Sequence, residues 1–298
     1  MHVALRPCRC LAILILITTF STSLRAAEES APDSVTLKFH PRLGRIHIPA
    51  AVNDGESQFF LLDTGYGIDM IKPQLADTLE LRRAGRIDII GIAGREEAVL
   101  YRGARYRFGG MAYRPRRVAA LPSHSRQRRA GILGVDFFKR FVIEIHAADG
   151  SVTLHEPERF EYRGTGQVFP LTFHGDSPVI ETVVASNGKS SKARFEIDTG
   201  CDSALCVDGD FARKHSWLNI EEAGRKGERN GVGGSARTES GRIGEVRLGD
   251  LKVKEPRVNF FESGSLSEEG LAGHIGFELL KPYRMIFDYR RDRLILER

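Results

Sequence analysis

The sequence is poor in the residues that carry most recognisable chemistries. It holds four cysteines and one tryptophan in 298 residues, and Cys8 and Cys10 precede an apolar run near the N-terminus. That leaves Cys201 and Cys206, with no nearby histidine pair to close a metal site. No metal or cofactor is expected. Gly-x-Ser-x-Gly, P-loop and His-Glu-x-x-His patterns are all missing, which argues against serine-nucleophile hydrolases, phosphate-cradling enzymes and zinc peptidases of that type. A cysteine nucleophile needs a positioned histidine, and nothing in the sequence fixes His215 beside either thiol. Trp217 stands alone, so it reads as core packing rather than as part of a stacking platform. With no recognition helix either, nucleic acid is not an expected partner. The longest apolar run, LAILILITTF, is about ten residues, too short to span a bilayer comfortably.

That run follows Arg6 and Arg9 and precedes small residues from Ser21 to Ala27. Basic, apolar and then small is the order of a secretory signal. We expect residues 1–26 to be a signal peptide cut after Ala26 and the product to be exported, periplasmic or secreted; an uncleaved anchor is the alternative. Loss of this segment removes three arginines and no acid, so the formal charge falls from +5 to +2. The remaining basicity is uneven, because residues 101–130 hold nine arginines and no Asp or Glu. Either this is a solvated, loop-rich face, or it attracts acidic substrates or an anionic membrane surface.

What the chain does have is a repeat. QFFLLDTGYG at 58–67 matches ARFEIDTGCD at 193–202, an offset of 135. GIAG at 91–94 answers GVGG at 231–234, and GILGVDFFKRFVIEIH at 131–146 answers GHIGFELLKPYRMIFD at 273–288. SVTLHE at 151–156 corresponds to RLILER at 293–298. Four matches in one order indicate a duplicated unit, and two copies are fewer than the roughly three that a solenoid needs. Two facing lobes are the natural arrangement: residues 34–155, a linker at 156–167 with Pro157, charges and two glycines, and residues 168–298. Within each lobe, short alternating runs such as RIHIP, FVIEI and RLILE predict strands, with hairpin signals at Asn53-Asp54-Gly55 and Asn187-Gly188. Two short helices per lobe are expected. One follows each Asp-Thr-Gly, with Pro73 in a first turn or Asp208 or Asp210 as N-cap. The other spans GVDFFKRF or GFELLKPY, the latter stopped by Pro282.

A single Asp-Thr-Gly is more often a turn or a cap than a site. Two at equivalent places allow Asp63 and Asp198 to meet on a pseudo-twofold axis. Two adjacent carboxylates cannot both ionise, so the pair would hold one proton over a wide acidic range. Gly65 and Gly200 are read as permitting a turn with φ > 0 and close approach of N–H groups to the carboxylates. Thr64 and Thr199 offer short hydroxyls for buried partners at the lobe junction.

The paired turns, each followed by two residues and Gly (ILG at 132–134, HIG at 274–276), resemble the aspartic peptidases. The nearest likeness is to bacterial retropepsin-like proteases that carry both lobes in one exported chain, in a pepsin-like bilobal arrangement. The resemblance implies an all-β fold of two β-barrel lobes with few short helices and a cleft between them. It implies a catalytic dyad of Asp63 and Asp198, with Thr64 and Thr199 interlocking beneath it. It also implies that Gly134 and Gly276 support the two turns from behind. Gly91, Gly94, Gly231 and Gly234 would be tips of two flaps over the substrate, rather than ordinary turns remote from the cleft. The substrate would be a polypeptide bound extended between the lobes, and one chain already supplies both aspartates, so a monomer is expected.

Some positions depart from the pattern. Tyr66 and Cys201 stand where the family has a small residue, and His274 where it has an aliphatic one. His274 reads first as a core or edge histidine and second as a modulator of pH response. Cys201 and Cys206 span a turn and can either form a disulfide or remain two buried thiols. The expected function is an aspartic endopeptidase. The alternative is a catalytically impaired peptide-binding protein using the same cleft, and a third class is a membrane-surface adaptor acting through residues 101–130.

Overall fold

Each Asp-Thr-Gly turn is delivered by a hairpin whose bend lies in left-handed backbone. Strands Arg45–Val52 and Ser57–Leu62 pair antiparallel and bend through Asn53 at φ +54°. Strands Ser177–Ser186 and Lys189–Asp198 bend through Asn187 and Gly188, at φ +50° and +72°. Two successive positive angles suit a two-residue hairpin turn, and asparagine and glycine tolerate them best. The computed structural model describes residues 32–42, 44–217, 224–262 and 270–298. The expected signal peptide, 1–26, lies outside the described residues.

Both halves build a ten-stranded sheet in one order. In the first half it runs Arg82–Gly91, Gly94–Arg102, Val118–Ala120, Met70–Ile71, Gly131–Leu133, Ser57–Leu62, Arg45–Val52, Tyr106–Phe108 and Met111–Tyr113, with His40–Arg42 beside Arg45–Val52. In the second it runs Lys226–Gly231, Gly234–Arg242, Arg257–Phe261, Leu205–Asp208, Gly273–Gly276, Lys189–Asp198, Ser177–Ser186, Glu245–Leu248 and Leu251–Lys254, with Thr172–His174 beside Ser177–Ser186. The strand that leads to each aspartate is therefore central and pairs in parallel with Gly131–Leu133 or Gly273–Gly276.

A third, six-stranded sheet joins the halves. Ser34–Lys38, Ser151–His155 and Val142–His146 continue into Arg284–Asp288, Arg293–Glu297 and Gln167–Pro170. The join sets Ile143 opposite Phe287 and Ile145 opposite Met285, all four fully buried. Phe138 packs 5.3 Å from the Phe287 ring and 5.7 Å from Tyr289, so one apolar core runs through both halves. Trp217 lies in this core, stacked on Phe195 at 6.3 Å with its Nε1 donating to Ser191 Oγ.

Four short α-helices lie among the described residues: Pro73–Thr78, Val135–Arg140, Gly209–Lys214 and Phe277–Leu280. Pro73 opens the first, where its missing N–H costs nothing. Asp208 caps the third, its Oδ1 accepting from Asp210 and Phe211 N–H at 3.0 and 2.9 Å. The fourth ends at Leu280, two residues before Pro282, which could not continue it. The expected all-β chain with few short helices is what the structure has. No described helix is long and apolar enough to cross a membrane.

Because the halves share a sheet and a core, they should unfold together. Phe138→Ala, in the first half, should cost about 3–5 kcal/mol. The fluorescence of Trp217, in the second half, should lose its denaturant midpoint in step with far-ultraviolet circular dichroism. Two separated transitions would contradict a shared core.

Candidate active site

The two Asp-Thr-Gly turns are bonded to each other through their threonines. Thr64 N donates to Thr199 Oγ1 at 3.1 Å, and Thr199 N donates to Thr64 Oγ1 at 3.0 Å. Each hydroxyl then donates across the junction: Thr64 Oγ1 to Ile197 O at 2.5 Å, and Thr199 Oγ1 to Leu62 O at 3.0 Å. Both threonines are fully buried, so every one of these groups depends on the opposite half for its partner.

This lattice sets each aspartate against the glycine of the opposite turn, Asp63 beside Gly200 and Asp198 beside Gly65. Gly65 N donates to Asp63 Oδ1 at 3.0 Å, and Gly200 N to Asp198 Oδ1 at 2.9 Å. Cys201 N adds a second donor to Asp198 Oδ1 at 3.0 Å. Burial, and then the Asp198 charge, push the Asp63 carboxyl well above the usual carboxylate range. Asp198 goes the other way. Burial, the largest single influence, would raise it, but the imidazole of His274 together with Asp63 and the Gly200 N–H brings it down. One proton shared by two unequal carboxyls is the expected state of such a pair.

Of the two roles read in the sequence for the turn glycines, the approach of their N–H groups to the carboxyls holds and the positive φ does not. Neither Gly65 nor Gly200 has positive φ. A Cβ on Gly65 would lie 3.1 Å from Asp198 Cγ, and one on Gly200 would lie 2.1 Å from Asp63 Oδ2. Each glycine makes room for the opposite carboxyl. Behind the turns, Val135 N donates to Tyr66 O at 2.8 Å and Phe277 N to Cys201 O at 2.9 Å. Gly134 and Gly276 sit at these steps, where a Cβ would meet Tyr66 O at 2.4 Å or Ser203 O at 2.1 Å.

The dyad lies in a cleft of about 1190 Å³. The two hairpin tips, Gly91 to Gly94 and Gly231 to Gly234, also line it and meet each other, Ala93 N donating to Val232 O at 3.2 Å. Gly94 and Gly234 take φ of +131° and +130°, conformations that favour glycine at these turns. Val232 packs with Leu61, Met70 and Leu100 of the first half, while Ile92 and Ala93 pack with Ala236 and Phe261 of the second.

Tyr66 lines the cleft wall, its hydroxyl 3.4 Å from His124 Nε2. Burial, helped by Arg129, lowers His124 to about 4, so the ring is neutral at ordinary pH. The arginine-rich segment is not a single loop face. Tyr106, Phe108, Met111 and Tyr113 put it in the core, and Arg102, Arg116 and Arg117 line a surface pocket of about 400 Å³. Arg129 turns into the cleft, where its charge acts on Asp63 and Tyr66 and its buried Nε has no hydrogen-bond partner.

The disulfide option at Cys201 and Cys206 is corrected. Both are thiols, with Sγ atoms 3.2 Å apart, whereas a disulfide requires about 2.05 Å. His274 is also more than a core or edge residue. Its Nδ1 lies 3.4 Å from Asp198 Oδ2, and its Nε2 lies 3.4 Å from Glu196 Oε2.

Sequence reading missed Glu196, Arg129 and Asp69. Asp69 is fully buried, accepts from Tyr113 Oη at 2.6 Å and Gly134 N at 2.7 Å, and is pushed by burial up to about 7. Its counterpart at the 135 offset is Ala204, where Gly276 N donates to the backbone carbonyl instead. Reading the two halves against each other residue by residue would have exposed both Glu196 and Asp69 as unmatched acids.

Residues 48–137 match the family model described as aspartyl protease. The match takes in Asp63, the first hairpin tip and Gly134, and ends before the second Asp-Thr-Gly turn. No curated protein matches the chain.

Two stability predictions follow from these bonds. Thr64→Val leaves Thr199 N and Ile197 O without their partner and should cost roughly 2–4 kcal/mol in denaturant unfolding. Asp69 keeps its proton in the fold up to about 7, whereas the unfolded chain releases it near 4. Its contribution is therefore full at low pH and is lost as pH rises towards 7, at about 1.4 kcal/mol per pH unit. Asp69→Asn should remove that much slope from stability measured between pH 4.5 and 7; an unchanged slope would contradict the assignment.

Proposed function

We propose that this chain is an aspartic endopeptidase in which Asp63 and Asp198 together activate water. What supports this most is a pair of carboxyls lining one cleft, each set against the glycine of the opposite turn and held there by reciprocal threonine bonds. The ionised carboxylate takes a proton from a water set between the two groups. The oxygen attacks the scissile carbonyl, and the protonated carboxyl donates to the carbonyl oxygen. The tetrahedral adduct then collapses with proton return to the leaving amine. Protein and substrate form no covalent bond in this scheme, and each carboxyl alternates between acid and base.

The substrate is read as a polypeptide lying extended beneath the hairpin tips, bonded along its backbone as an added strand. Ile87, Ile89, Ile90 and Ile92 line the cleft on the first-half side, with Phe261 and Leu271 on the other. Apolar side chains on the substrate suit these walls. One chain supplies both aspartates, so a monomer suffices. The N-terminal basic, apolar and small pattern supports export, to be checked by sequencing the N-terminus of the mature protein.

A peptide library should be cleaved by the wild type. Asp63→Asn and Asp198→Asn should each lower kcat/KM by at least about 100-fold, the usual worth of a positioned acid or base. Undiminished cleavage by either variant would refute the dyad. A folded wild type that retains peptides without cutting any would instead support the impaired binding protein.

A further inference from the structure

The two halves differ sharply in charge at one pair of positions beside the dyad. The first half sets Leu61 beside Ile132 in parallel register, and the second sets Glu196 beside His274. Either charge alone would be costly in this sheet, with Glu196 only 5 % exposed. They occur together and they meet. Glu196 and Asp198 lie two residues apart on one strand and so project to the same face. The imidazole stands between them, Nε2 at 3.4 Å from Glu196 Oε2 and Nδ1 at 3.4 Å from Asp198 Oδ2. The N–H groups of Gly200 and Cys201 already engage Asp198 Oδ1, so His274 takes the other oxygen.

We propose that His274, charged and held in place by Glu196, is a positioning residue that keeps Asp198 the ionised member of the pair and leaves the shared proton on Asp63. This rests on the dyad reading above and deepens it, because it assigns the base and acid roles at the start of the reaction. Asp198 takes the water proton, and Asp63 protonates the carbonyl.

Few titratable groups bear on the imidazole. Glu196 and Asp198 face it from the parallel neighbour strand. Cys206 lies opposite in the antiparallel neighbour, and Cys201 lies in the turn after Asp198. Asp63 reaches it through Asp198, and Tyr289 acts on Glu196 from behind. Burial alone would strip His274 of its proton, but Glu196 and Asp198 reverse this and hold it up to about 10. Arg129 favours ionisation of Asp63 through space, but burial and the Asp198 charge outweigh it and Asp63 stays raised. Both carboxyl directions agree with the contact geometry.

The test combines histidine-labelled NMR with the pH dependence of cleavage. His274→Gln identifies the resonance of His274. In the wild type that ring should stay protonated well above pH 7, and in Asp198→Asn it should titrate lower. Cleavage needs Asp198 ionised, so activity falls as pH drops through its pKa. Removing the imidazolium raises that pKa. His274→Gln should therefore move the acid limb of kcat up by about one pH unit or more, with little change in KM.

Glu196→Leu combined with His274→Ile copies the apolar pair of the other half and guards against a misfolded single variant. Its acid limb should move the same way but less, because the repelling Glu196 charge is gone too. Glu196→Gln should move the limb down or leave it in place. A purely structural role would not produce this order of signs. Wild-type His274 titrating near 6.5, or acid limbs unmoved in folded His274→Gln and double variants, would overturn the proposal. Absence of cleavage together with the predicted NMR titration would support the ion pair and count against the hydrolytic reading alone.

Discussion

The reciprocal bonding of Thr64 and Thr199 is the constraint on which the rest of the site depends. Each backbone N–H is satisfied by the hydroxyl of the opposite half, and each hydroxyl donates to a carbonyl of the opposite half. Neither half can meet these needs alone, since all the groups are buried. Once the turns are locked, each carboxyl faces the glycine of the opposite turn. At Gly200 any side chain would strike the facing carboxyl, and at Gly65 one would crowd it. The six-stranded sheet and the shared aromatic core carry the same constraint outwards, and the touching hairpin tips close it over the cleft.

On this symmetrical frame the charges are distributed asymmetrically. The second half surrounds its aspartate with His274, Glu196 and the Cys201 N–H. The first half surrounds its aspartate with Leu61, Ile132 and Tyr66, and with Arg129 reaching in from the arginine-rich segment. Burial therefore prevails at Asp63, whereas at Asp198 the His274 contact and the neighbouring hydrogen-bond donors together overcome it. Two carboxyls of identical local sequence are driven in opposite directions. A symmetrical pair would leave the proton equally placed. Here the environment chooses between two groups presented by the same Asp-Thr-Gly sequence.

Much of this was legible in the chain because the chain contains its own comparison. The paired Asp-Thr-Gly turns, the Gly-rich hairpin tips and the glycines at 134 and 276 each occur twice in order, and local rules for turns and caps fixed the short helices near Pro73 and Asp208. What escaped depends on pairings between distant segments. The six-stranded sheet joins strands from both ends of the chain, and no local pattern specifies its order. Glu196 looks like an ordinary strand residue until the register sets it beside His274. Arg129 is one of nine arginines, and only the tertiary fold turns it towards Asp63. Gly65 and Gly200 bring their N–H groups to the carboxyls as the sequence implies, but the space they leave is something only the facing turn can reveal.

The central claim is that the buried carboxyl pair recognises the tetrahedral geometry of a hydrated amide. Calorimetry with two matched peptides tests this most directly, one carrying a tetrahedral hydroxyl in place of the scissile carbonyl and the other a methylene there. The wild type should bind the hydroxyl peptide at least about 100-fold more tightly, and Asp63→Asn and Asp198→Asn should abolish that preference. Equal affinity of the wild type for both peptides would contradict the account.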